Sequence, residues 1–371
     1  MENQKPALKE ILTCVVFIII IGALFALNIV IPAPKVLVSE RRVPAKLPTP
    51  SGKTMLSGDF MKKFDSYAAD RFVFRDTFRG IYSIMIYDVY MQTDKSGLYR
   101  SNSVGAGEFQ RVNATAFRQT SEKIKKAAES LDGNNMRIYY SIIPDKSIFA
   151  GRFMPGFDIG NAEEILFDTL HEYTYIPLIN ELSADSFYKT DLHWDQSKIN
   201  GVADFILSNM GNIGYTQSRN IFSEVKAGEF QGVYAGQLAL PIGADTMVYN
   251  DISGLSVRYL NEKTLEFESG TLYDTARLNG VDPYDLFLRG PQPLIVIEND
   301  SAPERELYLF RDSFGSSLAP LLACSYSKTT IIDLRYINLS LLEQFIEFKP
   351  GSDVLFIYGS QIFNNPSILQ T

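Results

Sequence analysis

Cysteine and histidine are nearly absent from this 371-residue chain, which has two of each: Cys14 and Cys324, His171 and His193. With Cys14 inside an apolar run, neither a disulfide scaffold nor a Cys-rich zinc site can be built, and dispersed carboxylates offer no ligand cluster at zinc spacing. No metal and no cofactor is expected. A mechanism that needs an imidazole base has two candidates. Positive charge is also short: 35 Lys and Arg stand against 43 Asp and Glu, a formal charge of −8. An anionic surface disfavours phosphate backbones, so nucleic acid is not an expected partner. Repeats and low-complexity segments are missing too. What remains, 46% hydrophobic and 21% charged residues, is an ordinary globular balance with enough apolar side chain for one large domain or two small ones.

One long apolar run is present. Ile11 to Ile31 contains no charged residue and is interrupted by Thr13, Cys14, Gly22 and Asn28 alone among bulky apolar side chains. At ~1.5 Å per residue it reaches roughly the ~30 Å of a bilayer core. A secretory signal has a shorter apolar region, about 7–15 residues, and then a small-residue cleavage site, whereas this run ends in Pro-Ala-Pro-Lys. An uncleaved transmembrane anchor over 11–31 is therefore expected, behind a cytoplasmic stub over 1–10. A lipoprotein is excluded because Cys14 opens the run and does not follow it. Counting Lys5 and Lys9 against Lys35, Arg41, Arg42 and Lys46 would put the C-terminal side in the cytoplasm. Large domains translocate largely regardless of such charge, and a Cys-poor body suits an oxidising exterior, so an extracytoplasmic domain on a single-pass protein of the cell membrane is expected.

Five of the 17 prolines fall between 32 and 50, so residues 32–58 read as an extended tether to a domain over 59–371. Phe60 to Tyr87 mixes Phe and Met with charges at helical spacing, which predicts one or two amphipathic helices. Beyond it, apolar strand-like runs at 136–143, 175–180, 294–298, 307–310, 329–334 and 353–358 alternate with helical stretches at 116–131, 162–172, 195–210, 316–323 and 339–348. That alternation predicts an α/β fold with a mostly parallel sheet flanked by helices. A stretch near 217–289, richer in Gly, Asp and Thr, lacks the rhythm and reads as an insertion or excursion from the sheet.

In open α/β sheets reactive groups gather at the carboxyl ends of strands. The run Leu307 to Ser317 is a strand entering a small-residue turn that opens a helix. Ser313 stands where a nucleophile belongs, with its hydroxyl exposed and its own N–H able to stabilise an oxyanion. A serine needs an adjacent base, and an imidazole held in its useful tautomer by a carboxylate is the usual one. His193, two residues after Asp191, supplies both, since in a strand the two side chains share a face. His171, in FDTLHEY, reads as an ordinary helical histidine. The bland alternative makes Asp191 a helix cap, His193 a core residue and Asp312-Ser313 a turn.

Thr190-Asp191-Leu192-His193-Trp194 with Arg311-Asp312-Ser313-Phe314 resembles the DHHW family of anchored bacterial proteins, relatives of the SGNH-like alginate O-acetylation proteins. The resemblance extends to Glu40-Arg41-Arg42, Phe64 to Asp76, Ile143 to Lys146, Tyr284 to Asn299 and Ile332 to Tyr336. It implies an SGNH-hydrolase-like fold and a triad of Asp191, His193 and Ser313, in an order reversed from ordinary SGNH hydrolases, whose nucleophile comes first. Leu192 departs from the name motif, where the first His would stand. The glycine and asparagine blocks that supply other oxyanion donors are not recognisable, which leaves Arg335 and Tyr358, each at the end of an apolar strand, as candidate donors or substrate contacts. Trp194, the single tryptophan, is a candidate for stacking on a sugar face, with packing beside the triad as the stronger reading.

Two functions fit. One is an extracytoplasmic serine acyltransferase or esterase, moving or removing O-acetyl groups on a cell-surface or exported polysaccharide. As acetyl-coenzyme A is cytosolic, a transferase would need a membrane-embedded acetyl-donor partner. The other is a non-catalytic surface protein that binds glycan or a membrane partner. The first requires His193 within roughly 2.6–3.2 Å of Ser313 Oγ.

Overall fold

A computed structural model describes residues 8–133, 135–151, 154–212 and 222–371; residues 1–7 of the expected stub and residues 217–221 of the 217–289 stretch lie outside the described residues. The chain divides into two units, residues 1–90 with 236–241, and residues 91–235 with 242–371.

In the first unit, α1 (Leu8–Val30) is a helix of 23 residues, long and apolar enough to cross a membrane. It ends just before Pro32, which cannot extend it. α2 (Gly52–Leu56) is short and starts at Ser51, whose hydroxyl accepts from the Thr54 N–H at 3.2 Å. The amphipathic stretch becomes α3 (Asp59–Arg71) and α4 (Arg75–Ile84), the latter continuing as a π turn over Met85–Val89. Part of the proline-rich stretch between α1 and α2 is not a loose string but is held on these helices. Arg42 donates to both oxygens of buried Asp70 at 2.7 and 2.6 Å, and the Ala45 N–H adds a third bond at 2.8 Å. The Arg42 bonds, helped by Ala45, hold the Asp70 carboxyl down to about 2.

The second unit contains, in order, β1 (Leu98–Ser101), β2 (Gly105–Glu108), α5 (Ala114–Asp132), β3 (Arg137–Ile143), α6 (Ile159–Leu170), β4 (Thr174–Tyr175), α7 (Asn200–Asn209), β5 (Glu224–Phe230), α8 (Val233–Leu238), β6 (Asp245–Asn250), β7 (Ser256–Leu260), β8 (Phe267–Gly270), β9 (Leu294–Glu298), β10 (Glu306–Arg311), α9 (Phe314–Ala323), β11 (Lys328–Ile332), β12 (Asp353–Gly359) and α10 (Ser360–Phe363). The end of α8, from Gly236, belongs to the first unit.

Eight strands form one sheet in the order β4-β3-β12-β10-β11-β9-β7-β8. Its strands alternate side chains between two cores. Leu307 and Leu309 of β10 and Leu355 and Ile357 of β12 meet α7 and α9 on one face, while Tyr308, Phe310, Val354 and Phe356 meet α5, α6 and α10 on the other.

The sheet is mixed, which corrects the expectation of a mostly parallel one. β4, β3, β12, β10 and β11 pair in parallel, but β9, β7 and β8 are added antiparallel beyond β11. Continuous apolar sequence in β9 reports burial on both faces and says nothing of direction. Residues 256–270, read as part of an excursion, pair onto this sheet as β7 and β8, while β5 and β6 form a separate antiparallel pair. The expected strand over 175–180 shrinks to the two residues of β4, because Pro177 has no N–H for a ladder.

Candidate active site

The carboxyl end of β10 runs through Asp312 and Ser313 directly into α9, all ten residues of which are buried. Asp312 fixes this turn. One oxygen accepts from the Phe314 N–H at 3.0 Å, capping the helix, and the other from the Gly359 N–H at 2.7 Å, at the end of neighbouring β12. Its burial pushes the Asp312 carboxyl above the usual range. Gly315 is required by close approach: a Cβ there would lie 2.5 Å from Cβ of Arg311.

The second segment, Tyr188 to Trp194, is a closed loop. Phe187 bridges to Trp194, and the Tyr188 N–H donates to the His193 carbonyl at 3.0 Å. It is a bend and not the strand expected for Asp-x-His, so the two side chains meet through the turn. Asp191 Oδ2 lies 2.6 Å from His193 Nδ1 and also accepts the His193 N–H at 3.3 Å. The other oxygen accepts the Val233 N–H at 2.9 Å. Thr190 is locked beside it by Asp245 and by the Gly232 N–H at 2.8 Å. Gly232 admits no side chain, since its Cβ would come within 2.3 Å of Asp191 Cβ.

Across from the loop, His193 Nε2 stands 2.8 Å from Ser313 Oγ. The carboxylate at Nδ1 keeps the ring proton there, which leaves Nε2 to accept from the serine hydroxyl. Asp191 is fully buried, His193 is 4% exposed, and Ser313 is the more open member of the three. Among the described residues the Ser313 N–H has no hydrogen-bond partner, and it lies at the N-terminus of α9, where backbone donors and the helix dipole favour negative charge.

The remaining candidates fall elsewhere. Trp194 is wholly buried and donates to the Phe314 carbonyl at 3.0 Å and to Ser317 Oγ at 2.8 Å, so it packs beneath the start of α9 and offers no face to a sugar. Arg335 is occupied by Asp333, with bonds of 2.8 and 2.6 Å; its burial opposes the charge, but Asp333 keeps its pKa above the ordinary value. Tyr358 follows Ile357 in β12 and therefore points to the α5 and α6 face, away from α9. It is buried there with its hydroxyl unpaired among the described residues. His171 ends α6 and bonds the Asp168 carbonyl at 3.3 Å. Among the described residues, no three His, Cys, Asp or Glu side chains cluster as metal ligands.

Two residues not singled out for the site are built into it. Tyr284 stacks on the His193 ring with centroids 3.7 Å apart and planes at 4°, and its hydroxyl donates to Ser317 Oγ at 2.8 Å. Lys146 is buried under the loop, donating to the carbonyls of Tyr188 at 2.8 Å and of Asp191 at 2.7 Å. Burial lowers its pKa to about 8, against the pull of Asp191, Asp145 and Asp245. It is thus still an ammonium at neutral pH. Both residues sit in segments of the family resemblance, but no spacing marks them as neighbours of His193.

Lys146→Met keeps the shape and removes both bonds, so Asp191 and His193 lose their fixed seat. Turnover is expected to fall about 100-fold with KM little changed, the effect of a small misplacement of reacting groups. Between the folded value near 8 and the ordinary 10.5, the unfolded chain holds a proton that the folded chain has released. This group therefore makes stability rise with pH across that window. Denaturant titrations across that window should show that rise in the wild type and lose it in Lys146→Met.

No protein-family model matches the sequence, and comparison with curated proteins finds no match. Solved structures do match. A DHHW family protein from Eubacterium siraeum is 14% identical with a TM-score of 0.58, over 73% of this chain and 93% of that one. PatB1 of Bacillus cereus is 18% identical with a TM-score of 0.57, over 72% of this chain and 96% of that one. A second PatB1 structure, 17% identical over 72% of this chain and 95% of that one with a TM-score of 0.57, carries a sulfonyl adduct. The chain thus has the fold of the DHHW family protein and of PatB1, in line with the resemblance carried by Thr190 to Trp194 and Arg311 to Phe314.

Proposed function

We propose that the chain is a membrane-anchored, extracytoplasmic serine acyltransferase or esterase that moves or removes O-acetyl groups on a cell-surface or exported polysaccharide. The observation that carries the chemistry is the 2.8 Å approach of His193 Nε2 to Ser313 Oγ with Asp191 on the far nitrogen. Ser313 attacks the acetyl carbonyl as His193 takes its proton, and the Ser313 N–H at the head of α9 stabilises the oxyanion. His193 returns the proton to the leaving oxygen. Water or a sugar hydroxyl, deprotonated by the same imidazole, then attacks the acyl carbon, and the bond to Ser313 Oγ breaks as His193 returns the proton to that oxygen. Asp191 stabilises the imidazolium in both halves. The apolar span of α1 supports the anchor, and a cytosolic acetyl source would reach this domain through a membrane-embedded partner.

The test uses the full chain in detergent with a sulfonyl fluoride and a chromogenic acetyl ester. Peptide mass analysis should find the sulfonyl group on Ser313, and labelling should be slowed strongly in His193→Ala. Acetyl-ester turnover should disappear in Ser313→Ala. Absence of both labelling and turnover in the wild type, with polysaccharide still bound, would establish the non-catalytic binding protein instead.

A further inference from the structure

We infer that α4 and its π turn lie in the plane of the membrane interface, against a lipid surface with anionic headgroups. The inference rests on the proposed anchor and adds a second attachment, made by a face and not by a span.

The face is continuous. Phe74, Phe78, Ile81, Tyr82 and Met85 recur at helical spacing, and all are exposed, Phe74 at 54% and Tyr82 at 54%. Phe72, just before them, is exposed as well. The opposite face of the helix is already used. The Ser83 hydroxyl donates to the Leu238 carbonyl, Arg79 donates to the Gln237 carbonyl at 2.6 Å, and a Cβ on Gly80 would sit 2.6 Å from the Ala239 oxygen. Among the described residues, Phe74, Phe78, Ile81 and Met85 thus stay exposed on the outer face of the helix. Contiguous apolar surface of this kind marks a protein or membrane contact.

Three observations select the membrane. The first is position: the Val73 N–H donates to Asn28 Oδ1 at 2.9 Å. Asn28 lies two residues before the end of α1, so Val73 sits about 3 Å along the axis from the end of the span, at the boundary of hydrocarbon and headgroups. The second is rigidity. Glu40, ten residues beyond the end of α1, pairs with Arg75 and with Arg79 at 2.9 Å, and Arg42 with Asp70, which ties both helices to the chain leaving α1. The third is charge. Residues 32–90 carry ten Lys and Arg against six Asp and Glu in a chain that is acidic as a whole. The excess lies on the chain flanking α4, since Arg75 and Arg79 of the helix stand against Asp76 and Asp88, and a cationic flank beside an aromatic and aliphatic stripe suits anionic headgroups.

The experiment places single tryptophans in the full chain, reconstituted in vesicles of phosphatidylcholine and phosphatidylglycerol, with each signal read against the unsubstituted protein, whose Trp194 is buried. Phe78→Trp reports the face, Phe17→Trp the span, and Tyr336→Trp an exposed site in the other unit. Lipids brominated near the headgroup should quench Phe78→Trp by half or more, and aqueous acrylamide should quench it far less than Tyr336→Trp. If Phe78→Trp is as open to acrylamide as Tyr336→Trp while lipids brominated deep in the chains quench Phe17→Trp, the span stands and the interfacial helix is overturned. The stripe would then face a protein partner. If deep bromine leaves Phe17→Trp unquenched, the anchor itself fails, and the interfacial helix with it.

Discussion

Ser313→Ala and His193→Ala are each expected to lower acetyl-ester turnover by on the order of 10⁴ to 10⁶, and the double variant should be scarcely worse than either. The non-additivity follows from the geometry. Once Ser313 Oγ is gone, His193 Nε2 has no proton to take, and once the ring is gone the hydroxyl has no base within 2.8 Å. Asp191→Asn keeps the shape of the loop and frees the ring to take the wrong tautomer, a change worth about 10⁴ in a serine protease. Binding of polysaccharide should change little across the series, because in the proposed mechanism these three groups meet the reacting carbonyl and not the glycan at large. Steady-state turnover measured beside binding of an acetylated polysaccharide, on the same preparations, checks both halves. Wild-type turnover in Ser313→Ala would remove the triad from the mechanism.

Asp353→Ala is expected to destabilise the second unit by about 3 kcal/mol, roughly 6 °C or more in Tm, while leaving the chemistry of the folded protein alone. Asp353 is wholly buried at the start of β12, where its carboxylate accepts from Arg137 at 2.6 Å, from Arg305 at 2.6 Å and from the Tyr326 hydroxyl at 2.8 Å. These partners begin or precede β3, β10 and β11, so one side chain ties four parallel strands at their amino ends. Removing it leaves cations that keep some access to water, which holds the loss near the low end for a broken buried pair. The group stands at the far ends of the strands from Ser313, so kcat per folded molecule should not move. Thermal unfolding with active-site titration by the sulfonyl fluoride separates the two effects.

What the sequence made legible was local. Asp-x-His before a helix and a serine at a strand-to-helix turn are short-range patterns whose chemistry limits where they can sit, and the structure brings Asp191, His193 and Ser313 together. Strand direction was also within reach. Residues 299–305, between β9 and β10, are too few for a crossover that returns a strand in parallel, which usually takes a dozen or more. Apolar continuity masked that sign. Arg335 and Tyr358 each end an apolar strand, but a strand end fixes neither a partner nor a face. Asp333 occupies the first, and the period of two sends the second to the opposite core. Lys146 and Tyr284 lie far in sequence from His193, and a carbonyl-bound ammonium or a ring stack has no signature along the chain.

The pairing of β3 with β12 has a consequence for how the protein is made. Arg137 and Asp353, joined across that ladder, are 216 positions apart. Non-local parallel pairings are slow to form, because the loop they close must be ordered before the contacts reward it. A chain emerging amino end first holds β3 long before β12 arrives to cover its inner edge. During that interval an apolar strand edge is open to other chains, a hazard for aggregation.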